Sequence, residues 1–225
     1  MIRIAIDGPG GAGKSSVAKA VAKELGIVYV DTGALYRTVG YYVRQHGIDP
    51  HSREAVRACL PDIKIEVKYE NGVQNVYLNG ENPGDKIRTP EMSMYASAVS
   101  AIPEVRDFLL ETQKDIARRN SVIMDGRDSG TVIIPDADVK IFMTASAECR
   151  AQRRYDELKA KGVKVEFADV LAEMNERDSN DSTREVAPTA VAEDAVIFDN
   201  TGYTLDMSVR AVIEIVKDKT GYTAR

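Results

Sequence analysis

The first sixteen residues constrain this chain more than any other stretch. A short apolar run, Arg3–Asp7, leads directly into Gly8-Pro9-Gly10-Gly11-Ala12-Gly13-Lys14-Ser15-Ser16, and Val17-Ala18-Lys19-Ala20-Val21-Ala22 then reads as helix. Gly8, Gly13, Lys14 and Ser15 fit the phosphate-loop pattern G-x-x-x-x-G-K-[S/T] between a strand and a helix, the context the pattern requires. Glycines there admit positive φ and close approach, so successive amide N–H groups can turn toward phosphate oxygens. The helix adds the positive end of its dipole. Lys14 is placed to reach β- and γ-phosphates, and the Ser15 hydroxyl to ligate Mg²⁺. A chance match in a chain of this composition has odds of roughly 1%. Residues Gly8–Ser16 are therefore the expected nucleotide-phosphate site.

The rest of the chain reads as one α/β domain of the doubly wound, phosphate-loop type, three layers deep around a parallel sheet. The first helix spans Lys14–Leu25 with Gly26 as its cap. Buried strands are expected at Ile27–Val30, Ser121–Asp125, Val139–Met143 and Val196–Asp199, with helices at Ala34–His46, Ala147–Lys161, Phe167–Arg177 and Leu205–Lys219. Helical pattern also resumes near Pro90 and restarts at Pro103, a favourable first-turn position. Between them the period changes to two. Ile63–Tyr69 and Val73–Asn79 alternate around an Asn71-Gly72 turn signal, and Glu81–Arg88 is a candidate third strand. Residues 62–88 thus read as a small antiparallel insert standing off the core.

At 225 residues with a net charge of −5, the chain shows no global pull toward nucleic acid or anionic membrane. Cys59 and Cys149 stand without metal-ligand or CxxC spacing and read as free thiols in a reducing compartment. Arg3 and Asp7 interrupt the apolar start, so no signal peptide is expected, and no apolar run reaches the ~18–20 residues of a membrane span. A soluble, cytoplasmic protein is expected, acting as a monomer on small molecules.

The remaining chemistry lies at strand ends, where open α/β sheets bind ligands. Asp125 closes an Ile-Met strand, the place of the carboxylate that helps hold Mg²⁺ in phosphate-loop proteins. Arg37 follows Asp31-Thr32-Gly33, Arg127 follows Asp125, and Arg177, Asp178, Asp181 and Arg184 cluster after a helix. Several arginines near a phosphate loop suit a second phosphorylated substrate, because the guanidinium fork pairs with phosphate bidentately. A guanine-reading Asn-Lys-x-Asp stretch is absent from the sequence, which disfavours a GTPase.

Four segments together resemble the bacterial cytidylate kinase family. They are the phosphate loop, Asp31-Thr32-Gly33-Ala34-Leu35-Tyr36-Arg37, Asp125-Gly126-Arg127-Asp128-x-Gly130-Thr131, and Glu176-Arg177-Asp178 with Asp181 and Arg184-x-Val186-Ala187-Pro188. The resemblance covers about Ile2 to Asp199. It implies a nucleoside monophosphate kinase core, an acceptor region at about 32–115 that includes the insert, and a mobile lid at about 150–165. It implies transfer of the ATP γ-phosphoryl group to CMP, and to dCMP, with Mg²⁺, in pyrimidine nucleotide metabolism. Acceptor-phosphate contacts fall on Thr32, Arg37 and Arg127, ribose recognition on Arg177 and Asp181, and Arg184 near base or phosphate. Cytosine contacts fall on Ser97, Arg106 and Asp128. That trio suits the base: a carboxylate accepts from the N4 amino group, an arginine serves O2 and N3, and uracil reverses the N3 and N4 positions. Arg153 or Arg154, on the basic segment matching the lid, is expected to cover the transferring phosphoryl. The competing readings are a kinase for another small acceptor such as UMP, and a non-catalytic nucleotide-binding regulator.

Overall fold

A computed structural model describes residues 1–70 and 73–222. In chain order the elements begin β1 (Arg3–Asp7), α1 (Lys14–Leu25), β2 (Val28–Asp31), α2 (Thr32–Gln45), α3 (Arg53–Cys59), β3 (Ile65–Glu70), β4 (Val73–Leu78) and α4 (Pro90–Ser100). They continue with α5 (Pro103–Arg119), β5 (Val122–Gly126), β6 (Val139–Thr144), α6 (Ala147–Ala160), α7 (Phe167–Thr183), β7 (Val196–Asp199) and α8 (Leu205–Thr220). The chain divides into two compact units, one of Met1–Val28 with Ser121–Arg225 and one of Tyr29–Asn120.

The first unit is built on strands ordered β5-β1-β6-β7, parallel at β5–β1, β1–β6 and β6–β7. Ile4, Ala5 and Ile6 of β1 and Val122, Ile123 and Met124 of β5 are fully buried, as a strand covered on both faces must be. Helices α1 and α8 pack together, as do α6 and α7. Connections from β1 run to both sides of it. The loops leaving β1, β5 and β6 therefore gather at one sheet end, the switch point where ligands sit in such sheets.

In the second unit, α2 lies on α4 and the hairpin β3–β4 pairs Ile65 with Leu78 and Val67 with Val76. The expected turn at Asn71-Gly72 lies outside the described residues. The hairpin does not stand off: Ile63, Val76, Leu78 and Ile87 share one core with Leu35, Val39, Val43, Val56, Val99 and Val105. The alternation is thus an amphipathic pattern with its apolar face buried rather than a detached insert. Nor is there a third strand. Glu81 makes one bridge to Leu78, and Gly84–Arg88 is a 3₁₀ turn. Pro83 has no N–H for a ladder and Gly84 sits at φ 57°, so extension stops there.

Two further segments depart from the sequence reading. Helix α3 arises where no helix was expected. Helix α7 runs on to Thr183, six residues past the expected end, so Asp178 and Asp181 lie on the helix rather than after it. The run Asp-Ser-Asn-Asp-Ser-Thr is poor in helix formers; tertiary ion pairs from Asp178 to Arg150 and from Asp181 to Arg127 carry it instead. Both cysteines are unbridged. No helix among the described residues is long and apolar enough to cross a membrane.

Candidate active site

The phosphate loop connects β1 to α1 at the switch point. Gly8 has φ 144°, and a Cβ there would stand 2.0 Å from the Met143 carbonyl oxygen on β6. The loop is pinned from several directions. The Lys14 ammonium donates to Gly8 O and Pro9 O, each at 2.7 Å. Asn200 Nδ2, just past β7, donates to Ala12 O at 2.9 Å. Lys14 is only 6% exposed. Burial, then the Arg127 guanidinium nearby, hold its ammonium well below the ordinary lysine value, against the opposing pull of Asp125.

Ser15 Oγ donates to Asp125 Oδ2 at 2.5 Å, so the hydroxyl opening α1 meets the carboxylate ending β5. A hydroxyl and a carboxylate side by side are hard oxygen donors suited to Mg²⁺, which takes most of its remaining ligands from phosphates and water. The residues present fit that ion. Ser16 lies on the exposed side of the same turn.

The residues after β5 and on α7 form a charge network. Arg127 Nε donates to Asp181 Oδ2 at 2.9 Å, and Arg177 lies 3.9 Å from the same carboxylate. Burial pulls Arg127 down, but Asp181 and Asp178 outweigh it, leaving the guanidinium above its ordinary value. Arg184 lies 3.7 Å from Asp128 Oδ1 and donates from Nε to Ala187 O at 2.7 Å. Lys14, Asp125, Arg127, Arg177 and Asp181 are therefore linked in one cluster beside the loop, and Asp128 and Arg184 form a second pair.

Of the two candidate lid arginines, Arg153 meets the loop and Arg154 does not. Arg153 donates to Asn200 Oδ1 and Asn200 O at 3.0 Å and to Ala12 O at 3.3 Å. Arg154 turns to Glu157 on its own helix, 2.8 Å away. Arg150, which the sequence reading left as one charge of a basic helix, is buried on the loop. It donates to Gly10 O at 2.9 Å and to Asp178, while Asp178 accepts from Gly10 N at 3.0 Å. Arg150 and Asn200, which hold the loop, were not among the expected site residues, and Asp178 was noted only as one charge of the cluster around Arg177. Asn200 directly follows a strand of an open sheet, a positional signal that was available; Arg150 carried none.

In the second unit, Asp31 caps α2 by accepting from Ala34 N at 2.9 Å and pairs with Arg37 at 2.8 Å, with Arg88 3.8 Å away. Gln74 of β4 brackets its backbone, accepting from Asp31 N at 2.7 Å. The Arg37 Nε is buried and has no hydrogen-bond partner among the described residues. Thr32 is buried in the first turn of α2. Ser97 on α4 and Arg106 on α5 are also buried, with the Arg106 guanidinium 5.4 Å from the centre of the Tyr36 ring and Nη1 donating to Ser100 O.

The sequence profile of the cytidylate kinase family matches residues 4–218. A protein of Caldicellulosiruptor bescii called cytidylate kinase is 49% identical over 214 residues, covering 95% of each chain. One of Fervidobacterium nodosum with the same name is 48% identical over 217 residues, covering 96% of this chain and 97% of its own. The fold is also that of an uncharacterized protein of Eubacterium ventriosum, with a TM-score of 0.55 at 13% identity over 96% of this chain and 98% of that one. With the profile spanning nearly its whole length and relatives near half identity, the chain belongs to the cytidylate kinase family.

Proposed function

We propose that this protein transfers the γ-phosphoryl group of ATP to CMP, and to dCMP, giving ADP and CDP or dCDP. The observation that carries the reading is the phosphate loop of a cytidylate kinase family chain with Asp125 and Arg127 clustered beside it. An acceptor phosphate oxygen attacks the γ-phosphorus in line while the bond to the β–γ bridging oxygen breaks and ADP departs. The acceptor is already ionised near neutral pH, so positioning and charge neutralisation supply the catalysis. The loop amides and Lys14 hold the donor. Ser15 and Asp125 would hold Mg²⁺, partly through water, and the ion would supply charge neutralisation for the donor phosphates.

In the second unit, Thr32 and Arg37 are the proposed acceptor-phosphate contacts, and Ser97 and Arg106 take the pyrimidine edge. The unpartnered Nε of Arg37 supports an anion there. In the first unit, Arg127 serves the acceptor phosphate, Arg177 and Asp181 the ribose, Asp128 the cytosine amino group, and Arg184 steadies Asp128. The proposed acceptor-binding region is about residues 32–115, within the second unit, and the proposed lid is about residues 150–165, most of α6 and the loop after it. The two unbridged cysteines suit a reducing cytoplasm, and the net charge of −5 disfavours a nucleic-acid partner. A monomer is the proposed working form.

The test is acceptor-dependent ADP production from Mg²⁺-ATP across CMP, dCMP, UMP, AMP, GMP and shikimate. CMP and dCMP should lead, and ATP turnover without acceptor should be negligible. ATP binding with no phosphorylated acceptor would overturn the proposal. Asp128→Asn should cut the CMP-over-UMP ratio of kcat/KM by at least about tenfold, because its amide can donate to the uracil O4. An unchanged ratio would remove Asp128 from base reading. For the lid, Arg153→Ala should lower kcat by on the order of 10² and Arg154→Ala by less than about twofold. Equal effects in single-turnover assays would contradict that division.

A further inference from the structure

The mechanism above makes no use of Asp7, although it is the buried carboxylate at the end of β1, immediately before the phosphate loop. Its two oxygens are both engaged by backbone: Oδ1 accepts from Ser129 N at 2.8 Å and Oδ2 from Gly130 N at 2.7 Å. Those amides open a π-helical turn, Ser129–Ile133, closed by Val132 N to Asp128 O at 2.9 Å and Ile134 N to Ser129 O at 2.8 Å. The first amides of a helical turn have no partner within it. The usual remedy is an Asp, Asn, Ser or Thr at the N-cap position whose own side chain accepts from them. Here Asp128 holds the N-cap position, yet its side chain makes no capping bond. Its carboxylate instead lies near Arg184.

We propose that Asp7 is a positioning residue for acceptor recognition: it caps the π turn in place of Asp128 and so reserves the Asp128 carboxylate for the acceptor base. The inference rests on the reading of Asp128 as the cytosine contact. Its physical content is a competition. Without the Asp7 carboxylate, the Gly130 and Thr131 amides become the natural partners of Asp128, whose side chain then swings onto its own backbone and away from ligand. The phosphate loop would not follow, because Lys14, Arg150 and Asn200 hold its carbonyls independently of Asp7.

Asp7→Asn is close to isosteric, but its NH₂ group faces one of the two amides it should accept from. In steady-state assays it should raise KM for CMP at least about tenfold and lower the CMP-over-UMP ratio at least about fivefold, with KM for ATP within about twofold of wild type. Should this variant fail to fold, Asp7→Glu carries the same test, since a longer arm displaces the turn while keeping both oxygens. In wild-type protein, NMR couplings across the hydrogen bonds should connect both the Ser129 and Gly130 nitrogens to the Asp7 side-chain carbon; absence of both overturns the capping. Loss of ATP and CMP affinity in parallel, or an unchanged CMP-over-UMP ratio, overturns the positioning role. Asp128→Asn, measured alongside, separates the two ideas. If it alone erodes selectivity, the base reading stands and the role of Asp7 falls. If neither variant does, both fall.

Discussion

Replacing Gly8 with alanine should leave little folded protein. The added Cβ would sit 2.0 Å from Met143 O and 3.0 Å from Met143 C, both main-chain atoms of β6. Neither can rotate away as a side chain could. The residue also holds φ 144°, a conformation L side chains rarely adopt. Relief would require β1 and β6 to part where Asp7 pairs with Phe142, at the centre of the main sheet. A cost above about 4 kcal/mol is expected, a large share of the 5–15 kcal/mol that keeps a typical domain folded. Urea unfolding monitored by circular dichroism would measure it. Gly10→Ala is the control: its Cβ meets only side-chain ends, Asp178 Oδ1 at 3.5 Å and Arg127 Nη2 at 3.8 Å, and its φ is not positive. That variant should fold with a Tm within a few degrees of wild type. A stable, soluble Gly8→Ala protein would contradict the geometry of the loop.

Lys14→Ala should lower kcat by on the order of 10³ while changing Tm far less than Gly8→Ala does. The ammonium sits buried beside Arg127, an environment that disfavours its charge until a polyanion arrives. Binding of the ATP phosphates would favour the charged form, so the group meets the developing charge already desolvated and aimed. Its contribution is thus realised in the transition state, and kcat should fall more than KM for ATP rises. Lys14→Arg should not rescue, because the space against Gly8 O and Pro9 O holds a compact ammonium rather than a planar fork. Presteady-state phosphoryl transfer is the measurement. A variant keeping more than about a tenth of wild-type kcat would remove Lys14 from catalysis.

Much of this was legible before any coordinates, because the signals are local. A strand buried on both faces reads as an apolar run, and Arg3–Asp7 and Val196–Asp199 begin and end where the sequence placed them. Helix α1 starts at Lys14 and stops at a left-handed Gly26, both set by neighbouring residues. The phosphate loop is a backbone shape written in glycines, so its motif is also its geometry. Asp125 and Arg127 stood out as candidates because strand ends of open sheets face the ligand.

The rest depended on partners distant in sequence. The polar run that ends α7 signals a loop, and becomes helix only because Arg127 and Arg150 pair with Asp181 and Asp178 across 54 and 28 residues. The hairpin pattern was visible, but its burial against α2 was not, since period-two alternation says that one face is covered without saying by what. Arg153 and Arg154 are chemically alike and adjacent; helix orientation alone sends one to Ala12 and Asn200 and the other to Glu157. Asp7 accepts from amides more than 120 residues away. The sequence by itself determined the phosphate-loop segment, the strands of the main sheet and most of the helices between them, because each is encoded within a few neighbouring residues. Only the tertiary structure decided which charges meet, because pairing across the sheet follows strand order in space, and no local pattern contains that.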